Sequence, residues 1–163
     1  MRKRLLLAAV IIMISGLSHE SVYANPGTQL DSDKLRGEIE VLINEERVRY
    51  GAAELITNDT LVENAQLRAK EVEESLSHTR PDGNKFSTAI TIDYLSAGEN
   101  IAYLHTTYQF TEEQLSDIFV KGWLDSEGHR NNILKSSWGQ TGIGIYINGE
   151  HIYVVQLFVQ ERT

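Results

Sequence analysis

The chain has 163 residues, no cysteine, and 15 basic against 23 acidic residues, for a net charge of −8 at pH 7. That length suits one domain able to build its own core. The acidic balance works against a nucleic-acid partner and against an anionic membrane surface, and the missing cysteine excludes a disulfide framework and a lipidated-cysteine anchor.

Residues 1–24 read as an export leader. Arg2, Lys3 and Arg4 precede an apolar run from Leu5 to Ile14, Ser15-Gly16 interrupts it, and Val22-Tyr23-Ala24 ends in a small-residue cleavage pattern. The run is too short to span a bilayer, so no stable membrane anchor is expected. The expected location is extracellular. Without the leader, 12 basic and 22 acidic residues remain, a net charge of −10. Residues 25–32 form a short polar lead-in, and the domain is expected over 33–163.

Helices come first in the domain. Leu35, Ile39, Leu42 and Ile43 share one helical face, which predicts a helix from about Ser32 to Tyr50, capped by Asp31 or Ser32 and ended by Gly51. Leu61, Ala65, Ala69 and Val72 predict a second helix from about Asp59 to Leu76, with Asn58 as its cap. "HTRPDGNKF" breaks that pattern with Pro81 and Asp82-Gly83. "GENIAYL" suggests a strand. Thr111 and Gln114 have capping-box spacing before a core-facing stripe of Leu115, Ile118, Phe119, Gly122 and Trp123. Ser126 then stands where a short helix to about Leu134 needs its N-cap.

The end of the chain is β-rich. Two runs in "TGIGIYINGEHIYVVQLFVQ" flank Asn148-Gly149, read as a type I′ hairpin turn. Ile143, Ile145 and Ile147 alternate onto one face. Gly142 and Gly144 line the other, where a helix or loop could approach closely. Helices followed by strands indicate an α+β fold.

Four histidines follow the leader. His105 falls in a polar loop and His151 on an exposed strand. His78 follows the second helix, where a helix dipole would favour its cation. His129 lies in the first turn of the short helix, where the dipole favours neutral imidazole, the form that accepts a proton or binds metal. His78 and His129 are too far apart in sequence for any short metal motif. Ser126 and His129 have no nucleophile elbow around them, and an N-cap hydroxyl is expected to serve backbone amides. Glu99 and Glu127 could pair as glycosidase carboxylates, on weak grounds in so acidic a chain. Arg80 and Arg130 each follow a candidate histidine closely. They could orient Glu99 or an anionic ligand, although ordinary pairing with abundant acids is the simpler expectation.

Taken in order, "LINEERVRYGAAELITNDTLVENAQLRAKEV", "SHTRPDG", "GENIA", "GWLDSEGHRNNIL" and "TGIGIYI…YVVQLF" resemble the CAP superfamily of cysteine-rich secretory proteins, antigen 5 and pathogenesis-related class 1 proteins. Within it, the chain most resembles the cysteine-free, bacterial SCP-like extracellular branch. The resemblance covers residues 33 to about 160. It implies a three-layer α-β-α sandwich with a central, mainly antiparallel sheet, and a cleft lined by two histidines and two glutamates. His78 and His129 match the histidines and Glu99 the first glutamate. At the fourth position, where many members carry Trp-x-x-Glu, this chain has Ser126 three residues after Trp123, with Glu127 beside it.

A His78, His129 and Glu99 set with open positions suits a divalent metal, zinc above others. The function implied first is a non-catalytic domain holding such an ion and a protein, peptide or lipid partner in its cleft. One alternative is a metal-dependent extracellular hydrolase of peptide or cell-wall material, with Glu99 or Glu127 as base. Another is lipid or sterol binding in an apolar groove.

Overall fold

A computed structural model describes residues 10–12 and 30–162. The leader assigned to residues 1–24 lies outside the described residues except for β1 (Val10–Ile12), and the lead-in is described only from Leu30. The elements that follow are α1 (Ser32–Arg49), β2 (Ile56–Thr57), α2 (Asp59–Glu74), β3 (Ser96–His105), α3 (Glu112–Asp125), α4 (Glu127–Leu134), β4 (Gln140–Asn148) and β5 (His151–Gln160). A single 3-10 turn spans Phe86–Ala89.

The helix boundaries follow from their caps. Asp31 accepts from the backbone N–H groups of Asp33 and Lys34, and Asn58 accepts from that of Leu61. Thr111 and Gln114 complete a reciprocal capping box at α3. Gly51, at φ +79°, takes the left-handed conformation just past α1.

The sheet order is β1-β3-β5-β4-β2. The long strands β3, β5 and β4 are antiparallel neighbours, and the short β1 and β2 add parallel edges. One face packs against α1, α3 and α4 through Leu35, Ile39, Phe119, Trp123, Ile143 and Phe158. The other face packs against α2 through Leu61, Ala65, Ala69, Val155 and Leu157. This is the expected α+β three-layer sandwich. Trp123 is fully buried in the first core, as its place on the α3 stripe requires.

Three local expectations change. The hairpin turns on Gly149-Glu150, because Asn148 still pairs with His151. Only Gly149 has positive φ, at +59°, so the turn is not type I′, which needs positive φ at both central residues. His105 is the last residue of β3 rather than a loop residue, and its ring lies tilted by 30° against that of His151 with centroids 4.7 Å apart. His151 is half-buried rather than exposed, its Nδ1 lying 2.7 Å from the Tyr103 hydroxyl.

The paired glycines of β4 set how closely α2 can approach. A Cβ on Gly142 would stand 2.2 Å from the Leu61 carbonyl carbon, and one on Gly144 the same distance from that of Ala65. The α2 backbone therefore lies directly on the sheet, which fixes the height of everything α2 carries.

Candidate functional site

The site is built around Glu99, in the middle of β3. Strand alternation places it on the α2 face beside Ile101. Its carboxylate has no solvent exposure and two partners. Arg68 of α2 donates from Nε to Oε1 at 2.8 Å. His78 Nδ1 lies 2.7 Å from Oε2.

Arg68 is itself fully buried. Besides Glu99, it bonds the Glu71 carboxylate at 2.6 Å and the Ser77 carbonyl at 2.8 Å. Glu71 in turn takes Arg80 at 2.7 Å. An alternating chain of charges thus runs Arg80–Glu71–Arg68–Glu99 and ends on His78. It anchors the segment after α2 to the helix. Burial opposes the Glu71 charge, but Arg80 and Arg68 overcome it and hold the carboxyl below its usual range.

His78 sits in the loop after α2, whose backbone is closed by the Thr79–Lys85 bridge and by Phe86 N–H donating to the His78 carbonyl. With Nδ1 held by Glu99, its Nε2 is buried and has no hydrogen-bond partner among the described residues. The helix-dipole role expected for His78 is replaced by this direct contact with a carboxylate.

His129 comes from the opposite layer. It is the third residue of α4 and is 4 % exposed. Its backbone carbonyl accepts from Asn100, the β3 residue next to Glu99, and Asn132 bonds the Glu99 carbonyl and the Asn100 side chain. Successive residues of one strand thus hold both halves of the site. Burial, then the neighbouring His78, pushes the His129 pKa down to about 4, so the ring is neutral at pH 7. The neutral form expected from helix position therefore arises mainly from burial.

Ser126 occupies the N-cap position of α4, as expected, but makes no side-chain cap hydrogen bond. Its Oγ lies 2.8 Å from His129 Nδ1 instead. Glu127 is exposed in the first turn of α4. Arg130 donates to the Leu124 carbonyl at the end of α3, and Arg80 serves Glu71 and Thr88. Both arginines are therefore engaged within the fold.

The structure puts His78 in direct contact with Glu99 and places His129 near enough for His78 to influence its charge, while Glu127 is exposed. Among the described residues no group of three or more His, Cys, Asp or Glu stands in position to hold a metal ion together. Each of the two imidazoles has its Nδ1 engaged, by Glu99 at His78 and by Ser126 at His129. The residue that sequence reasoning missed is Arg68. Its signal was present, since Leu61, Ala65, Arg68, Ala69 and Val72 form one buried helical stripe with a charge inside it.

The family model for the cysteine-rich secretory protein family matches residues 41–160. The Uncharacterized protein YkwD of Bacillus subtilis (strain 168) is 33% identical over 120 residues, which are 71% of this chain and 43% of that protein. The chain thus spans less than half the length of this relative. An extracellular protein containing an SCP domain from Bacillus anthracis str. Ames superposes with a TM-score of 0.65 at 24% identity, over 83% of this chain and 45% of that one. NaASP2, solved with Zn2+, superposes with a TM-score of 0.62 at 12% identity, over 85% of each chain. No helix among the described residues is long and apolar enough to cross a membrane.

Proposed function

The chain belongs to the cysteine-rich secretory protein (CAP) family, and from that premise we propose that it is an exported, non-catalytic domain holding a divalent ion between His78 and His129, next to which a protein or peptide partner docks. The observation that carries this reading is the His78 Nε2 atom, a buried ring nitrogen without a hydrogen-bond partner. A buried acceptor left unpaired costs about 1–3 kcal/mol, so its retention calls for an electrophile or donor at that place. Its Nδ1 is backed by a carboxylate, the arrangement that orients a metal-bound imidazole and raises its basicity. His129 is neutral at pH 7 and backed by Ser126, so it needs no deprotonation to donate its lone pair.

The two imidazoles fit zinc or another borderline divalent ion, with the remaining positions left to water or to a partner's side chain. Glu99 then orients rather than ligates. Both its oxygens are engaged, by Arg68 and His78. The bound ion would supply a Lewis-acidic anchor for a carboxylate, carbonyl or imidazole of the partner.

The same contacts weigh against the hydrolase alternative. A general base must reach a water within the site, and Glu99 has no free oxygen while Glu127 is exposed. Export is part of the proposal. The leader pattern of residues 1–24 carries it, and the extracellular SCP-domain neighbour supports it.

Titration of zinc into residues 25–163 by calorimetry tests the ion site. Saturable binding is expected for the parent, with loss in a folded His78→Ala/His129→Ala variant. A parent that takes up no zinc, or a double variant that binds as well as the parent, would sink the reading.

A further inference from the structure

We infer that Arg68 is a positioning residue that selects the tautomer of His78, acting through Glu99. This deepens the ion site proposed above and rests on that reading only for what the selected nitrogen is used for.

An ionised carboxylate only accepts hydrogen bonds. Glu99 faces a guanidinium that stays protonated under all relevant conditions, with both groups fully buried. His78 Nδ1, 2.7 Å from Oε2, must then carry the ring proton as donor. A neutral imidazole has one N–H, so Nε2 holds the lone pair. Arg68 presents Nε to Oε1 at 2.8 Å and Nη2 to Oε2 at 3.5 Å, and Glu71 and the Ser77 carbonyl hold the rest of its fork. Its orientation is therefore set from three sides. It cannot turn to suit a different partner.

This makes the isosteric change Glu99→Gln revealing. Arg68 is donor-only, so the amide oxygen of the new side chain must take the Oε1 place against Arg68 Nε. The amide NH2 then falls against His78 Nδ1, and two donors cannot face each other. The ring must move its proton to Nε2, and the nitrogen available to an ion is closed. With Arg68 replaced as well, the amide is free to face either way. Removing both members of a buried pair is also gentler on the fold than removing one.

The test is the two-bond 1H–15N spectrum of the histidine rings in the metal-free protein at pH 7.5. The expected results are an Nδ1–H ring at position 78 in the parent, an Nε2–H ring in Glu99→Gln, and both tautomers in Glu99→Gln/Arg68→Gln. An Nε2–H ring in the parent overturns the inference. So does a double variant that is purely Nε2–H, because the amide would then orient without Arg68, and that result is decisive even if the single variant fails to fold. Zinc titration of the same samples separates the two ideas. A fall of at least about tenfold in affinity is expected for Glu99→Gln. If the parent binds no zinc while the tautomers follow the stated pattern, the ion site fails and the role of Arg68 stands.

Discussion

Ser126 Oγ lies 2.8 Å from Nδ1 of His129, three residues further along α4, so the hydroxyl at the head of this helix serves an imidazole and not a backbone amide. The carboxylate behind His78 and the hydroxyl behind His129 make the two sides of the site unequal. One ring is backed by a charge and the other by a neutral group. Replacement of a metal ligand's supporting group commonly costs about 10–100-fold in affinity. Ser126→Ala should therefore weaken zinc binding by about tenfold. It should also cost about 1–3 kcal/mol of stability, because the Nδ1 of the buried His129 loses its partner although no cap bond is lost. Calorimetry and thermal melting of one sample check both numbers. Undiminished zinc affinity would show that the contact does not hold the ring.

Arg47 should prove the more severe structural position. Its guanidinium is buried and donates to backbone carbonyls, those of Ala53, Ile133, Lys135 and Trp138 at 2.8, 2.5, 3.0 and 3.5 Å. It ties the end of α1 to the end of α4. Arg47→Met removes the guanidinium donor from each of these carbonyls, of which that of Lys135 keeps the Trp138 N–H, and each buried group left unsatisfied costs about 1–3 kcal/mol. A loss of at least about 3 kcal/mol in urea unfolding is expected. A variant within about 1 kcal/mol of the parent would mean that water replaces the fork.

Arg47 and Arg68 also show what the sequence made legible. The α+β elements could be read from helical stripes, caps and alternating isoleucines, because each is a local pattern, whereas their three-layer stacking was implied only by the family resemblance. Both arginines sit on those same stripes, Arg47 four residues after Ile43 and Arg68 between Ala65 and Ala69. A charge on a buried stripe signals an internal partner, but the partner is set by the tertiary fold. Glu99 stands 31 positions from Arg68, and the carbonyl of Ile133 stands 86 from Arg47. His78 and Glu99 could be proposed as neighbours only through the family resemblance. The redirected hydroxyl of Ser126 could not be read at all, since an N-cap serine looks the same whether it bonds an amide or a ring. The hairpin turn falls one residue later than the Asn-Gly pair suggests, because cross-strand register moves it onto Gly149-Glu150.

Gly144→Ala and Gly37→Ala should have opposite signs. A methyl on Gly144 would overlap the Ala65 carbonyl, so α2 must lift from the sheet. Overpacking of this kind costs about 1–3 kcal/mol or more. Lifting α2 also displaces Arg68, so zinc affinity should fall with stability. Gly37 lies inside α1 with nothing within 4 Å of the added methyl. There alanine should stabilise by about 0.5–1 kcal/mol through helix propensity. Urea melts of the two variants decide the matter, and a neutral Gly144→Ala would contradict the close α2–sheet contact.

Acid should destabilise the metal-free protein well before its carboxylates protonate. His129 titrates at about 4 in the fold, against about 6.5 in the unfolded chain, first because it is buried and second because His78 is close. Between those values the unfolded chain binds a proton that the folded chain refuses. This penalty is absent above pH 7, grows as pH falls through 6.5, and is complete below 4, where it amounts to about 3 kcal/mol. The depressed Glu71 and Glu112 add their losses only at lower pH, through the carboxylate range. Urea melts at pH 7.5 and 5 should therefore differ by about 2 kcal/mol in the parent, and by much less in His129→Gln, which keeps a polar side chain but has nothing to protonate. Parallel pH dependence in the two proteins would place the titrating group elsewhere. Zinc should flatten the parent's curve down to the pH at which protons displace it from the imidazoles, because a bound ion excludes the proton from the same lone pair.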